Sequence, residues 1–132
     1  MTLPCPAPRL PPATTSADPW RSHPARIVAV RDEAPGVRGY DLEFVDVAKR
    51  EGFAFAPGQF NMLLLPGIGE AAISIASDPA LPRLLTHTVR AVGNVTSAME
   101  RLGVGDEILL RGPYGKPWPL DGAEGGDAIV VA

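Results

Sequence analysis

Cysteine is nearly absent: Cys5 is the one such residue in 132. That excludes an internal disulfide and a cysteine-ligated metal cluster within the chain, and leaves Cys5 best read as an inert thiol. Basic charge is not in excess either. Lys plus Arg is 12 against 15 for Asp plus Glu, a formal net charge of −3. A mildly acidic chain with scattered charges offers no electrostatic footprint for nucleic acid or anionic lipid. No apolar run approaches the ~20 residues that span a bilayer. The opening, "MTLPCPAPRLPPATTSADPW", lacks the charged and apolar regions of a signal peptide. The cytoplasm is the expected setting.

What is present is a globular composition: 45% hydrophobic and 20% charged residues, in a length suited to one domain. Prolines crowd the first twelve residues, where neither a helix nor a sheet ladder can form. Residues 1–23 are therefore expected to be a proline-rich disordered tail. From Ala25 onward, prolines and glycines punctuate short apolar segments, the pattern of an all-β domain.

Those segments can be taken in turn. "ARIVAVRDE" alternates from Ile27 to Val30, and "PGVRGYDLEFV" puts Tyr40, Leu42 and Phe44 on one face, the period of two that marks a half-buried strand. "APGQFNMLLLP" opens on a turn dipeptide and runs into a more continuously apolar strand. "AAISIAS" is a fourth strand, "LLTHTVRAV" (84–92) a fifth and "GDEILLRGP" a sixth. Between the last two the period changes. Val95, Ala98, Met99 and Leu102 fall at i, i+3, i+4 and i+7, one face of a short helix, with Asn94 as N-cap and Gly103 as stop. The fold class expected is all-β: a small antiparallel Greek-key barrel of about six strands with one short helix, from about Ala25 to Gly112.

The strongest local chemical signal is "GNVTSAME". Gly93 allows a close approach of backbone, and the first-turn amides of Val95, Thr96 and Ser97 point outward unpaired. Such a start can seat an anion, helped by the hydroxyls of Thr96 and Ser97; an ordinary capped helix fits the same residues. His87 reads as a satisfied structural histidine, since no second metal ligand lies at useful spacing, and no metal is expected. Arg90 could meet a phosphate or a solvated carboxylate. Ser74 and Ser77 have no local base to make them nucleophiles.

In this order, "FAPGQF…LLP", "ISIASDP", "LTHTVRAVGNVTSAMERLGVGDEILLRGPYG" and "DAIVVA" resemble the ferredoxin-reductase-type FAD-binding domain, in its branch of hydrogenase gamma subunits and dihydroorotate dehydrogenase electron-transfer subunits. The resemblance implies FAD on a barrel at residues 24–120, and NAD(P)H on a following nucleotide-binding domain. Residues 121–132 would be a linker and that domain's first strand. It implies flavin-dependent electron transfer between NAD(P)H and a partner redox subunit, not carried out by this chain alone. By position in the family pattern, Ser74 would stand near flavin N5 as the catalytic contact and Ile73 would pack on the ring. Thr88, Val89 and Arg90 would line the ribityl and phosphate region. Gly93, Val95 and Thr96 would cradle the pyrophosphate.

One departure stands out. Where the family carries Arg-x-Tyr-Ser, this chain has Ala71, Ala72, Ile73 and Ser74. The hydroxyl stays, the aromatic becomes aliphatic and the phosphate-binding arginine is gone. Arg90, on the adjoining strand, is the expected replacement cation. The alternative reading is a barrel without cofactor, serving as a docking or structural module.

Overall fold

The computed structural model describes residues 18–123, 125–127, 129 and 131. Six strands form one sheet: β1 (His23–Ala34), β2 (Val37–Phe44), β3 (Phe60–Leu65), β4 (Gly69–Ser74), β5 (Leu85–Arg90) and β6 (Glu107–Tyr114). Their order is β4-β3-β6-β1-β2-β5, every pair antiparallel. The last strand is thus inserted between the first and third, a connection no hairpin rule dictates.

Alternation builds the core. Tyr40, Leu42 and Phe44 of β2 are buried, as are Leu63 and Leu65 of β3, Leu85 and Val89 of β5, and Ile108 and Leu110 of β6. β1 keeps its register only by a bulge. Ile27 pairs with Leu42 and Ala29 with Asp41, so Val28 is skipped and exposed. The skip returns Val30 to the core side, where it packs against the buried cluster.

Among the described residues there are two α-helices rather than one. The expected helix is α2, Asn94–Met99, shorter than the span to Leu102. Its buried residues are Val95, Thr96, Ala98 and Met99, and Leu102 packs on the core from just beyond it. The Tyr40 hydroxyl donates to the Met99 carbonyl at 2.8 Å, tying β2 to this helix. The additional helix is α1, Val47–Gly52, capped by the Asp46 carboxylate, which accepts from Lys49 N at 2.7 Å. None of its residues is buried. It therefore has no apolar period to betray it.

The sheet curls into a barrel without closing as one. Between its edge strands β4 and β5 there is no ladder. One contact joins them directly, the His87 ring to the Ser74 carbonyl at 3.0 Å, and the residues just after β4 add Ala76 N–H to the Thr86 carbonyl at 2.8 Å and Thr86 N–H to Ser77 Oγ at 3.1 Å.

Of the expected tail, residues 1–17 lie outside the described residues, and 18–22 lead into β1. The strand expected near the C-terminus falls partly on residues 128, 130 and 132, also outside them; Ile129 and Val131 are exposed. No described helix is long and apolar enough to cross a membrane.

Candidate functional site

The open seam is where the candidate residues gather. Ser74–His87 and Ala76–Thr86 set β4 and β5 antiparallel across it. Continued along the strands, that alignment puts Arg90 opposite Ala71 and Ala72. Alternate β4 residues, Ala71 and Ile73, pack inward against the core, while Glu70, Ala72 and Ser74 are exposed. On β5 the exposed residues are Thr88 and Arg90, and Val89 is buried at 3%. Val89 and Ile73 thus direct their side chains at the core. Val89 is fully enclosed there, whereas Ile73 is only partly buried, so part of its side chain stays accessible.

A cleft lies at each end of the seam. The first, about 450 Å³, is lined by Pro57–Gln59, Ser74–Ser77, Pro79 and Trp118. The Trp118 indole covers Gly58, and its N–H of the main chain donates to the Pro57 carbonyl at 2.9 Å. The second, about 390 Å³, is lined by Ile68–Ala71 and Val92–Thr96. Ser74 belongs to the first, and Gly93, Val95 and Thr96 to the second. Thr88, Val89 and Arg90 line neither. A cleft of about 470 Å³ at the β1–β2 hairpin is lined by Asp32, Glu33, Arg38 and Glu100, beside the end of β5 where Val37 pairs with Arg90; its three carboxylates suit no anion.

The second cleft has anion-binding chemistry. α2 is capped by Gly93, not Asn94: Gly93 is extended and Asn94 begins the helix. Among the described residues, the amides of Asn94, Val95 and Thr96 have no acceptor. The Thr96 hydroxyl is already engaged, accepting from Val92 N–H at 3.1 Å and Gly93 N–H at 2.9 Å. In this structure it shapes the loop, donating in turn to the Gly93 carbonyl at 3.3 Å. A Cβ on Gly93 would meet only Thr96 Oγ1, at 3.8 Å. The fold does not demand glycine there, and the bare backbone instead keeps the cleft wall open. Opposite it, Gly69 has φ +141°, and a Cβ would sit 3.3 Å from Val95 Cγ2. That glycine lets β4 start close against α2.

Beneath the seam lies a buried polar pair. His87 is fully buried and donates through Nδ1 to the Ser74 carbonyl, which leaves Nε2 as acceptor for the Asn61 amide at 3.3 Å. Burial drives the His87 ring down to about 4, so it is neutral near pH 7. Asn61 Oδ1 is buried without a partner, facing Gly112. The sequence marks His87 as structural but carries no sign of Asn61, which sits in an apolar strand.

Two further clusters escaped sequence reasoning. Arg31 grips Asp41 with two bonds of 2.6 and 2.8 Å, and the Thr86 hydroxyl adds a third at 2.7 Å. Those bonds hold the Asp41 carboxyl below its usual range. Arg111 binds Glu70 through two nitrogens. Its guanidinium lies over the rings of Trp20 and Tyr114, at 5.2 and 5.5 Å from their centroids. Among the described residues, no group of three His, Cys, Asp or Glu could hold a metal ion.

No family model matches the chain. Relatives are nonetheless evident. The gamma subunit of sulfhydrogenase 2 from Pyrococcus furiosus is 37% identical over 115 residues, 87% of this chain and 40% of that protein. The probable dihydroorotate dehydrogenase B (NAD(+)) electron transfer subunit of Methanocella arvoryzae is 32% identical over 98 residues, 74% of this chain and 34% of that protein. Among solved structures, the ferredoxin reductase of carbazole 1,9a-dioxygenase superposes with a TM-score of 0.61 at 25% identity, over 72% of this chain and 29% of that one. The chain thus spans well under half the length of the relatives it matches. The strand order and these likenesses converge: hydrogenase gamma subunits and dihydroorotate dehydrogenase electron-transfer subunits are homologues of this chain, and its neighbours among solved structures are ferredoxin-reductase-type domains.

Proposed function

We propose that this chain is the FAD-binding part of a flavin-dependent electron-transfer oxidoreductase that passes electrons between NAD(P)H and a partner redox subunit. The observation that carries the reading is the open seam, with a hydroxyl-bearing cleft at one end and three unpaired amides at the other. An unclosed barrel edge is costly unless something uses it. A dinucleotide has the matching layout, an apolar ring system joined by a linker to a diphosphate.

FAD, when bound, supplies reversible one- and two-electron chemistry. The chain's own residues bind and orient. Amides of Val95 and Thr96 donate to the diphosphate, and Gly93 leaves room for it. Thr88 and Arg90, exposed on β5, flank the linker together with the Val89 backbone. Ser74 offers its hydroxyl to the ring's reactive edge, near N5. Ile73 supports that wall from below, through the core. NAD(P)H and the partner subunit would engage the protein beyond this FAD domain, and the cytoplasm, where NAD(P)H is held, is the setting the reading calls for.

The protein should copurify with, or take up, a flavin with its characteristic visible absorption. Failure to bind either FAD or FMN overturns the proposal and favours a cofactor-free module. A finer test concerns the missing arginine. Arg90 falls level with Ala71 when the Ser74–His87 alignment is extended along the strands, and it is in no salt bridge among the described residues. If it serves the diphosphate, Arg90→Ala should weaken FAD binding by about 1.5–3 kcal/mol, roughly ten- to a hundredfold. Ala71→Arg should tighten it by a similar factor. Titration by flavin fluorescence quenching decides; unchanged binding by Arg90→Ala makes Arg90 a surface residue.

A further inference from the structure

Ser74 is the last residue of β4, an edge strand of the sheet, and it lines the cleft that Trp118 covers. The next residue, Ile75, donates its N–H to the Gln59 carbonyl at 3.1 Å, on the β3 side. Polar groups of successive strand residues point to opposite sides, so the Ser74 carbonyl is directed away from β3 and across the seam. No strand is laddered to that edge. A side chain stands in for the missing ladder: the His87 ring donates from Nδ1 to this carbonyl at 3.0 Å. The peptide joining Ser74 to Ile75 is thereby held at both ends, its N–H from the β3 side and its C=O from β5.

The ring is itself held. A neutral imidazole carries one N–H, on either nitrogen. Were that proton on Nε2, the Nδ1 lone pair would face the Ser74 carbonyl, two acceptors 3.0 Å apart. The Asn61 amide opposes that tautomer, because its N–H group lies 3.3 Å from Nε2 and needs an acceptor there. Asn61 is fully buried in an apolar strand, and turning its N–H group to the ring leaves its Oδ1 without a partner. An unpaired buried acceptor is a cost that an apolar residue at this position would not carry. The contacts form a relay from Asn61 on β3, through His87 on β5, to the main chain of Ser74 on β4.

We propose that Asn61 and His87 are positioning residues: the asparagine selects the ring tautomer, and the ring anchors the Ser74 peptide so that the serine hydroxyl is presented to the reactive edge of a flavin. This rests on the flavin reading above for the occupant of the cleft. Both side chains are fully buried and act through Ser74 alone.

Two NMR experiments test it. The first needs no flavin. In protein labelled with heavy nitrogen in its histidines, His87 should show a protonated Nδ1 and a bare Nε2 at neutral pH, its signals identified by their loss in His87→Asn. A protonated Nε2 overturns the proposal whatever the cleft binds. The second uses FAD labelled at N5, whose resonance moves when N5 accepts a hydrogen bond. Ser74→Ala should shift that signal to its unbonded position, and His87→Leu should shift it the same way, at least half as far. His87→Asn, which keeps an amide donor for the carbonyl, should leave it where the parent has it. The double variant His87→Leu with Ser74→Ala should match Ser74→Ala, since without the hydroxyl the anchor has nothing to position. An unmoved signal in His87→Leu, or a shift that adds to that of Ser74→Ala, overturns the proposal. Should His87→Leu fail to fold, Asn61→Leu replaces it: a population of the Nε2–H tautomer should appear and the N5 signal should move part of the way, and retention of the parent's tautomer and signal overturns the proposal. A parent that binds no flavin overturns the flavin reading and this inference together, and an unmoved signal in Ser74→Ala removes the serine contact and this inference with it. A parent that binds flavin but shows the other tautomer overturns this inference alone.

Discussion

Gly112→Ala should remove about 2–6 kcal/mol of folding stability, a large share of the 5–15 kcal/mol a domain of this kind possesses. Two costs add. Gly112 has φ +149°, a conformation in which a side chain is strained by about 1–3 kcal/mol. A Cβ there would also lie 2.2 Å from Asn61 Oδ1 and 3.3 Å from Asn61 Cα. Asn61 cannot swing away freely, because it is fully buried and its amide donates to His87. Displacing it strands a buried donor and a buried acceptor, a further cost of about 1–3 kcal/mol. Gly39→Ala is the control. Its Cβ would meet Glu33 Oε1 at 2.7 Å, an apparent clash of similar size, but with the far end of an exposed side chain that can move. That change should cost under about 1 kcal/mol. Urea denaturation of the three proteins measures both values, and equal midpoints for Gly112→Ala and the parent would show that Asn61 yields.

Acidification from pH 7.5 to 4.5 should cost about 2–3 kcal/mol through His87 alone. The unfolded ring titrates near 6.5 and the folded one near 4, because burial disfavours the charged form. Between those values the unfolded chain holds a proton that the folded one does not, so stability falls as pH falls through that window and levels off below it. Asp41 acts in a separate, lower window. Its folded carboxyl is held down by Arg31 and Thr86, so its contribution is present above its unfolded value of 3.8 and lost as pH falls through the lower folded one. His87→Asn separates the two. An asparagine amide can still reach the Ser74 carbonyl, so the variant should fold, be less stable at neutral pH, and show a nearly flat profile from pH 6.5 to 5. Melts across that range would refute the assignment if the variant kept the parent's slope.

Both predictions fall on one polar island, Asn61, His87 and Gly112, beneath the Ser74 backbone. It joins three strands and fixes the edge where the flavin reading puts the reactive end of the ring. A hydrogen-bonded core pair of this kind trades stability in acid for a defined seam, since the neutral ring has one donor for Ser74 and one acceptor for Asn61.

Much of the fold was legible locally. A strand buried on one face must alternate, so Tyr40, Leu42 and Phe44 declared β2, and "LTHTVR" declared β5 before any partner was known. A helix buried on one stripe must repeat near 3.6, so Val95, Ala98 and Met99 marked α2. Proline and glycine placed the turns, and the ordered set of segments gave the family. α1 escaped because it buries nothing, and the Val28 bulge because a skipped residue leaves no trace in a short apolar run.

The site was legible only in part. The residues of the seam were named from sequence, but their directions were decided by tertiary structure: Val89 and Ile73 turn to the core, and the Thr96 hydroxyl folds back on its own loop. The pairs that set the site's electrostatics join residues far apart in the chain, Asn61 with His87 and Glu70 with Arg111. Local pattern records which face of an element is apolar, because that depends on neighbours a few residues away. It does not record which charge meets which, because that follows from strand order, and strand order is settled by the packing of the whole sheet.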